Sequence, residues 1–176
     1  KGKAVCSSIS DPIPDVNRPE FPWFEQGLRS NTLQASDAVF WPRTSRWVTV
    51  LTYPILDDDG RKIGLLQLPI DLLRLSQQLT AGVPRNVLVT VVDKSRAVLV
   101  RSAEAVNFVG KRPDANEADP SRGLRDGYVT VAGRDGVVRV LSLRTLPDTG
   151  WRVAAGVPQA DVFAEHETRR ARSLGI

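Results

Sequence analysis

The stretch from Arg46 to Ile70 constrains the architecture more than any other part of the chain. From Arg46 to Pro54 the residues alternate with period two, with Trp47, Thr49, Leu51 and Tyr53 on one side and Val48, Val50 and Thr52 on the other. Such alternation marks a half-buried strand, because successive side chains leave opposite faces of an extended backbone. Asp57-Asp58-Asp59-Gly60 follows, and Asp-Gly supplies the positive φ that a hairpin turn requires. Lys62 to Ile70 then forms the return strand, which predicts an antiparallel hairpin. The same Asp run resembles the start of a calcium loop, but the later acidic ligands and the closing Glu are missing.

A helix is predicted next, with Leu72, Leu75 and Leu79 on one face and Asp71 as its N-cap. Ala81-Gly82-Val83-Pro84 ends it and marks a domain boundary. The strand pattern then starts again. Val87 to Asp93 is an apolar strand, and a turn at Lys94-Ser95 leads to a second strand through Arg101. Gly110 to Gly127 reads as polar loops with a short helix. Tyr128–Ala132 and Val137–Leu143 are strands joined by Arg134-Asp135-Gly136, and Pro147-Asp148-Thr149-Gly150 turns into a last strand, Trp151–Val157. Two successive antiparallel sheets with helices on a face predict an α+β tandem. The 176 residues allow one large domain or two of about 80 residues each. Pro158 suits the first turn of a final helix, from which Val162 and Phe163 would pack back on the second sheet. The expected division is residues 1–82, 83–158 and a C-terminal helix over 159–176.

Composition removes several function classes. With one histidine, His166, and one thiol, Cys6, a zinc site has too few ligands and no internal disulfide can form. A nucleophile–histidine arrangement would need His166, which lies in the polar stretch Ala164-Glu165-His166-Glu167-Thr168 and reads as a solvated helix residue. No phosphate-binding glycine loop or dinucleotide fingerprint is present. No catalytic residue, metal or cofactor is therefore assigned. The net charge of +4 admits nucleic acid as a partner, but Arg169-Arg170-Ala171-Arg172 is the one dense basic cluster. No basic stripe interleaved with stacking aromatics accompanies it, so nucleic acid is not an expected partner. No apolar run approaches the ~20 residues of a membrane helix. The chain opens with Lys1-Gly2-Lys3 and contains no Met, so it reads as an internal piece of a longer polypeptide.

The order of features resembles the double Cache family, the tandem PAS-like sensor domains of bacterial histidine kinases, diguanylate cyclases and chemoreceptors. Gly2-Lys3-Ala4-Val5-Cys6-Ser7-Ser8 is similar to its opening hairpin strand, and Pro22-Trp23-Phe24-Glu25-Gln26-Gly27-Leu28 to its aromatic-headed helix. Thr52-Tyr53-Pro54-Ile55, Asp58-Asp59-Gly60 and Gly64-Leu65-Leu66 resemble the central hairpin, and Ile70-Asp71-Leu72 the return to the linking helix. Val91-Val92-Asp93, Phe108-Val109-Gly110 and Gly150-Trp151-Arg152-Val153-Ala154-Ala155-Gly156-Val157-Pro158 match in the second half. Members begin with a long helix rising from a first membrane span, which this sequence does not include.

The resemblance implies a position outside the cytoplasm on the periplasmic face of the inner membrane, with Arg169 to Ile176 leading into a second span. It also implies a homodimeric, membrane-anchored parent receptor. A small molecule would bind in the membrane-distal half, near Phe21, Trp23, Phe24, Trp41, Trp47 and Tyr53. Large aromatics also fill ordinary cores, so pocket wall and plain packing both stay open for each, with Trp23 and Tyr53 favoured for the pocket. The family's amino-acid sensors use an Arg two residues before the Trp and an Asp on the strand before the linking helix. Phe21 and Pro69 stand there in this chain, which disfavours an α-amino acid held in the usual way. Arg18, Arg43 and Arg46 remain as cations that could meet an anion. The second half is expected to relay the signal through the C-terminal helix. A ligand-free structural or dimerisation module and a small α+β enzyme are the alternatives.

Overall fold

The computed structural model describes residues 2–8, 21–42, 44–112, 126–133 and 135–164. Helix α1 (Pro22–Arg29) leads through short strands β1 (Gln34–Ala35) and β2 (Val39–Trp41) into the hairpin of β3 (Arg46–Leu56) and β4 (Lys62–Asp71). β1 and β2 pair with successive parts of one edge of β3, and β4 pairs along the other edge. At the hairpin tip Gly60 has φ 76°, and the Asp57 carboxylate accepts from the amides of Asp59 and Arg61 at 3.1 and 2.7 Å. That carboxylate serves its own turn, in agreement with the turn reading of the Asp run.

The two faces of β3 meet different surroundings. Val48, Val50 and Thr52 are buried on the face that α1 covers. The opposite face leaves Tyr53, Ile55, Leu66 and Leu68 exposed side by side on the paired strands. A contiguous apolar face of this kind marks a docking surface or an aggregation hazard.

Helix α2 (Leu72–Thr80) joins the two sheets. Asp71 caps it as expected, accepting from the amides of Leu73 and Arg74 at 2.9 and 3.1 Å. The second sheet contains β5 (Leu88–Val92), β6 (Val98–Arg101), β7 (Gly127–Ala132), β8 (Val138–Thr145) and β9 (Arg152–Pro158), with the short helix α3 (Ala105–Phe108) after β6. Its order is β6-β5-β9-β8-β7, antiparallel throughout, so the last strand in sequence lies at the centre. The expected α+β tandem of two separate antiparallel sheets is thus the observed fold.

Three local expectations fail. Leu79 is exposed, and Ser76 occupies the buried face of α2 in its place. The Ser76 hydroxyl donates to the Leu99 carbonyl at 3.5 Å and accepts from the Arg101 amide at 3.2 Å, which ties α2 to the edge of β6. Gly2–Ser8 forms no strand. Its single large apolar residue, Val5, is exposed, so there is little surface whose burial would hold it to a sheet. Residues 159–164 are helical, but Phe163 is exposed rather than packed against the second sheet.

Asp93 lies between the sheets and is 1% exposed. Its carboxylate accepts from the Ala38 amide at 2.8 Å, the Ala97 amide at 2.9 Å and the Ser95 hydroxyl at 2.7 Å. Removing it strands the buried Ala97 amide and the half-buried Ala38 amide, so Asp93→Ala is expected to cost about 2–4 kcal/mol, read as a lower urea midpoint. By contrast, Leu66→Lys with Leu68→Glu should change stability by less than about 0.5 kcal/mol.

Candidate functional site

α1 starts with Pro22 in the first turn, where a missing N–H does no harm, and buries Trp23 and Gly27 one turn apart. Gly27 is required by a close approach: a Cβ there would lie 2.9 Å from Thr52 Oγ1 on β3. At the far end of α1, the Lys62 ammonium from β4 donates to the carbonyls of Leu28 and, at 2.7 Å, Ser30. A cation at a helix C-terminus satisfies carbonyls that lack helical partners and complements the helix dipole. Helix and sheet are thereby held in fixed register.

Four of the six aromatic residues singled out in the sequence meet beneath this helix. Phe21 stacks on Trp23 at 5.4 Å and on Trp41 at 6.5 Å, and Phe24 meets Trp23 edge-on at 6.3 Å. They pack with Val39 against Val48 and Val50, and Trp23 is only 3% exposed. Two polar atoms in this region are buried without a hydrogen-bond partner, Trp23 Nε1 and Thr52 Oγ1. Buried polar groups are normally paired; Arg139 Nε and Trp151 Nε1 in the second half are orphaned in the same way, so the α1–β3 interface is one of the places where a polar partner is wanted.

Tyr53 and Trp47 do not join the cluster. Both occupy the alternate positions of β3, so they leave the sheet on the other side. Tyr53 is 51% exposed there. Trp47 meets Phe40 edge-on at 5.4 Å and packs with the core formed by Leu72, Val98, Leu99, Val100 and Val109. Gly110, at φ 79°, lies flat against its indole, where a Cβ would come within 2.1 Å of the ring.

Of two concave regions, only the second has one of these aromatics, Trp47, in its lining. The first, about 500 Å³, lies over α1 and the loop after it and is lined by Pro22, Glu25, Gln26, Arg29, Ser30 and Gln34. The Gln26 carboxamide donates to Gln34 Oε1 at 3.2 Å, and Glu25 pairs with Arg29 at 3.3 Å. These polar residues were not anticipated. The second, about 410 Å³, sits at the seam between the sheets and is lined by Ala38, Trp47, Ala97, Gly110, Lys111 and Arg112. Both volumes fall in the range of small-molecule sites.

Pro69 lies opposite Val50 in the β3–β4 register, on the face toward α1, and Phe21 is part of the aromatic stack. Neither can hold an ammonium or a carboxylate. Arg46 is engaged by Asp71. Arg18, Arg43, His166 and Arg169–Ile176 lie outside the described residues. Among the described residues no cluster of His, Cys, Asp and Glu could hold a metal ion, and no helix is long and apolar enough to cross a membrane.

No family model and no curated protein matches the sequence. Solved structures do match the fold. The extracellular domain of histidine kinase rpHK1S-Z16 superposes with a TM-score of 0.66 at 17% identity, over 88% of this chain and 66% of that one. The ligand-binding domain of Pseudomonas fluorescens chemoreceptor CtaA, in complex with L-isoleucine, gives 0.64 at 21% identity over 86% and 63%. That of the Pseudomonas aeruginosa PAO1 amino acid chemoreceptor PctB, in complex with L-arginine, gives 0.69 at 15% identity over 94% and 65%. The chain thus spans just under two thirds of the length of these domains. It shares with them the Cache-type sensor-domain fold.

At the seam, burial and, next, the nearby Asp93 carboxylate raise Asp37 above the usual carboxylate range, against the lowering influence of Lys94 and Arg112. A carboxyl whose folded pKa exceeds its unfolded value destabilises the fold at neutral pH, and that cost fades as pH falls through the raised value toward 3.8. Asp37→Asn should therefore raise the thermal midpoint at neutral pH. The gain should vanish in unfolding curves recorded below the ordinary carboxylate pKa.

Proposed function

We propose that this chain is the extracytoplasmic sensing portion of a bacterial transmembrane signalling receptor, a binding module rather than an enzyme. The observation that carries the reading is the tandem of separate antiparallel sheets, shared with extracellular ligand-binding domains. In this reading residues 1–82 form the membrane-distal, ligand-binding unit, 83–158 the membrane-proximal unit, and 159–176 the helix that leads to the membrane. The ligand would bind in the polar groove over α1, with Gln26 and Gln34 among its lining, while Phe21, Trp23, Phe24 and Trp41 pack beneath the helix and hold it in place. Trp47 and Tyr53 would contribute only indirectly. The parent receptor would be a homodimer on the periplasmic face of the inner membrane, with the signal relayed through the C-terminal helix.

CtaA and PctB are amino-acid-bound in their structures. Here Phe21 and Pro69 argue against a carboxylate–ammonium clamp of the family type, so the ligand is expected to be a small molecule held by neutral hydrogen bonds. A second reading has one observation in its favour. Trp23 is almost fully buried in a stacked cluster, as it would be in a ligand-free structural module.

A thermal-shift screen of small metabolites separates the two readings. The sensor reading expects at least one compound that raises the midpoint in a saturable way, with its apparent affinity weakened about tenfold or more, some 1.4 kcal/mol, in Gln26→Ala/Gln34→Ala. L-isoleucine and L-arginine should leave the midpoint unchanged. A stabilising compound that leaves output from the intact receptor unaltered would speak for the structural module.

A further inference from the structure

We infer that the seam between the two sheets is a second small-molecule site, distinct from the groove over α1, and that it takes a planar aromatic carboxylate. Its walls come from both units: Ala38 and Trp47 from the first, and Ala97, Gly110, Lys111 and Arg112 from the second. Each wall has a separate physical role.

Trp47 contributes the part of its half-buried indole that Gly110, Phe40 and the core leave uncovered. Its orientation is fixed by the edge-on contact with Phe40 and by the Gly110 backbone packed against the indole. A rigid aromatic presents stacking area without losing side-chain freedom on binding. Ala38 and Ala97 are small, and their lack of bulk makes the space of about 410 Å³. Backbone hydrogen bonds hold the opposite wall in place, from the Val98 amide to the Lys111 carbonyl at 3.0 Å and from the Gly110 amide to the Val98 carbonyl at 2.8 Å.

The charge at the rim sets the chemistry. Lys111 and Arg112 both line the cleft, and Lys94 and Arg112 both act on the Asp37 carboxylate at the same seam, which leaves Lys111 as the one of the three not set against it. Against these three cations stand two carboxylates, Asp37 and Asp93. The Asp93 carboxylate is committed to the Ala38 and Ala97 amides and the Ser95 hydroxyl, and it is not among the residues that line the cleft. Two neighbouring cations beside an indole suit a ligand that carries a carboxylate on a flat ring, with the guanidinium able to grip both oxygens.

A ligand held there touches both units at once. It would therefore favour whichever relative arrangement of the sheets keeps Trp47 and Arg112 at ring-plus-carboxylate spacing. That makes the seam a place where a second chemical input could alter the response to the first.

Benzoate is the probe, titrated by isothermal calorimetry at low ionic strength, with cyclohexanecarboxylate as the non-planar control. The expected result is one-to-one binding, at least tenfold weaker for Lys111→Ala/Arg112→Ala and for the control acid, and unchanged in Gln26→Ala/Gln34→Ala. The alanine pair lies on the exposed rim, so the fold should survive; circular dichroism checks this. Trp47→Leu should also lose binding, but its indole packs in the core, so the rim variant is the deciding one. The proposal is overturned if benzoate does not bind, if the rim variant binds it as well as the parent, or if cyclohexanecarboxylate binds equally.

Discussion

Helix α2 holds the molecule together, because it is the element packed against both sheets. Leu72 and Ser76 are its fully buried residues, and they do different work. Leu72 gives apolar surface to the core shared with Val98, Leu99 and Val100. Ser76 gives directional bonds to the main chain of β6, so α2 cannot slide along that strand without losing both. Asp71 anchors the start of α2 as its cap and ion-pairs with Arg46 at the beginning of β3. A helix capped in one sheet and bonded to the edge of the next behaves as a rigid tie, whatever the loops around it do.

Asp93 provides the second tie, and it works by charge. A buried carboxylate is tolerable only when its oxygens are well bonded, and here two amides and a hydroxyl meet that demand. One of those amides, from Ala38, belongs to the first unit while the carboxylate belongs to the second. The requirement to satisfy Asp93 therefore links the segment that carries Ala38 to the turn after β5, as well as holding that turn itself.

The parts legible in the sequence were those governed by local rules. Period-two alternation in Arg46–Pro54, the Asp-Gly turn and the Asp71 cap each depend on residues a few positions apart, and each is found in the structure. The alternation also held the information that separates Trp47 and Tyr53 from Val48 and Val50, which grouping all nearby aromatics into one pocket ignored. Other features depend on contacts that no local rule reaches. Ser76 outcompetes Leu79 for the buried face of α2 because β6 offers main-chain partners there, 23 and 25 residues further on. Gln26 and Gln34 meet only because the pairing of β1 with β3 brings the loop after α1 back beside the helix. Polar lining of this sort has no hydrophobic period to announce it.

The arrangement also limits how a signal could pass. A ligand that bound equally to every arrangement of the chain would change nothing, so sensing needs two states with different contacts. Within the first unit, α1 is fastened at one end by aromatic stacking and at the other by Lys62, which leaves the helix body over Thr52 as the part with unmet hydrogen-bonding demand. Gly27 already packs directly over Thr52, so a guest in the groove would act on α1 from its outer side and shift it against β3. Because β3 is paired with β4, and β4 runs directly into the capped start of α2, a displacement there has a short, stiff path into the second sheet. Packed interiors favour discrete rearrangement over gradual deformation. The same fastening that stabilises the fold is what would make such a displacement consequential.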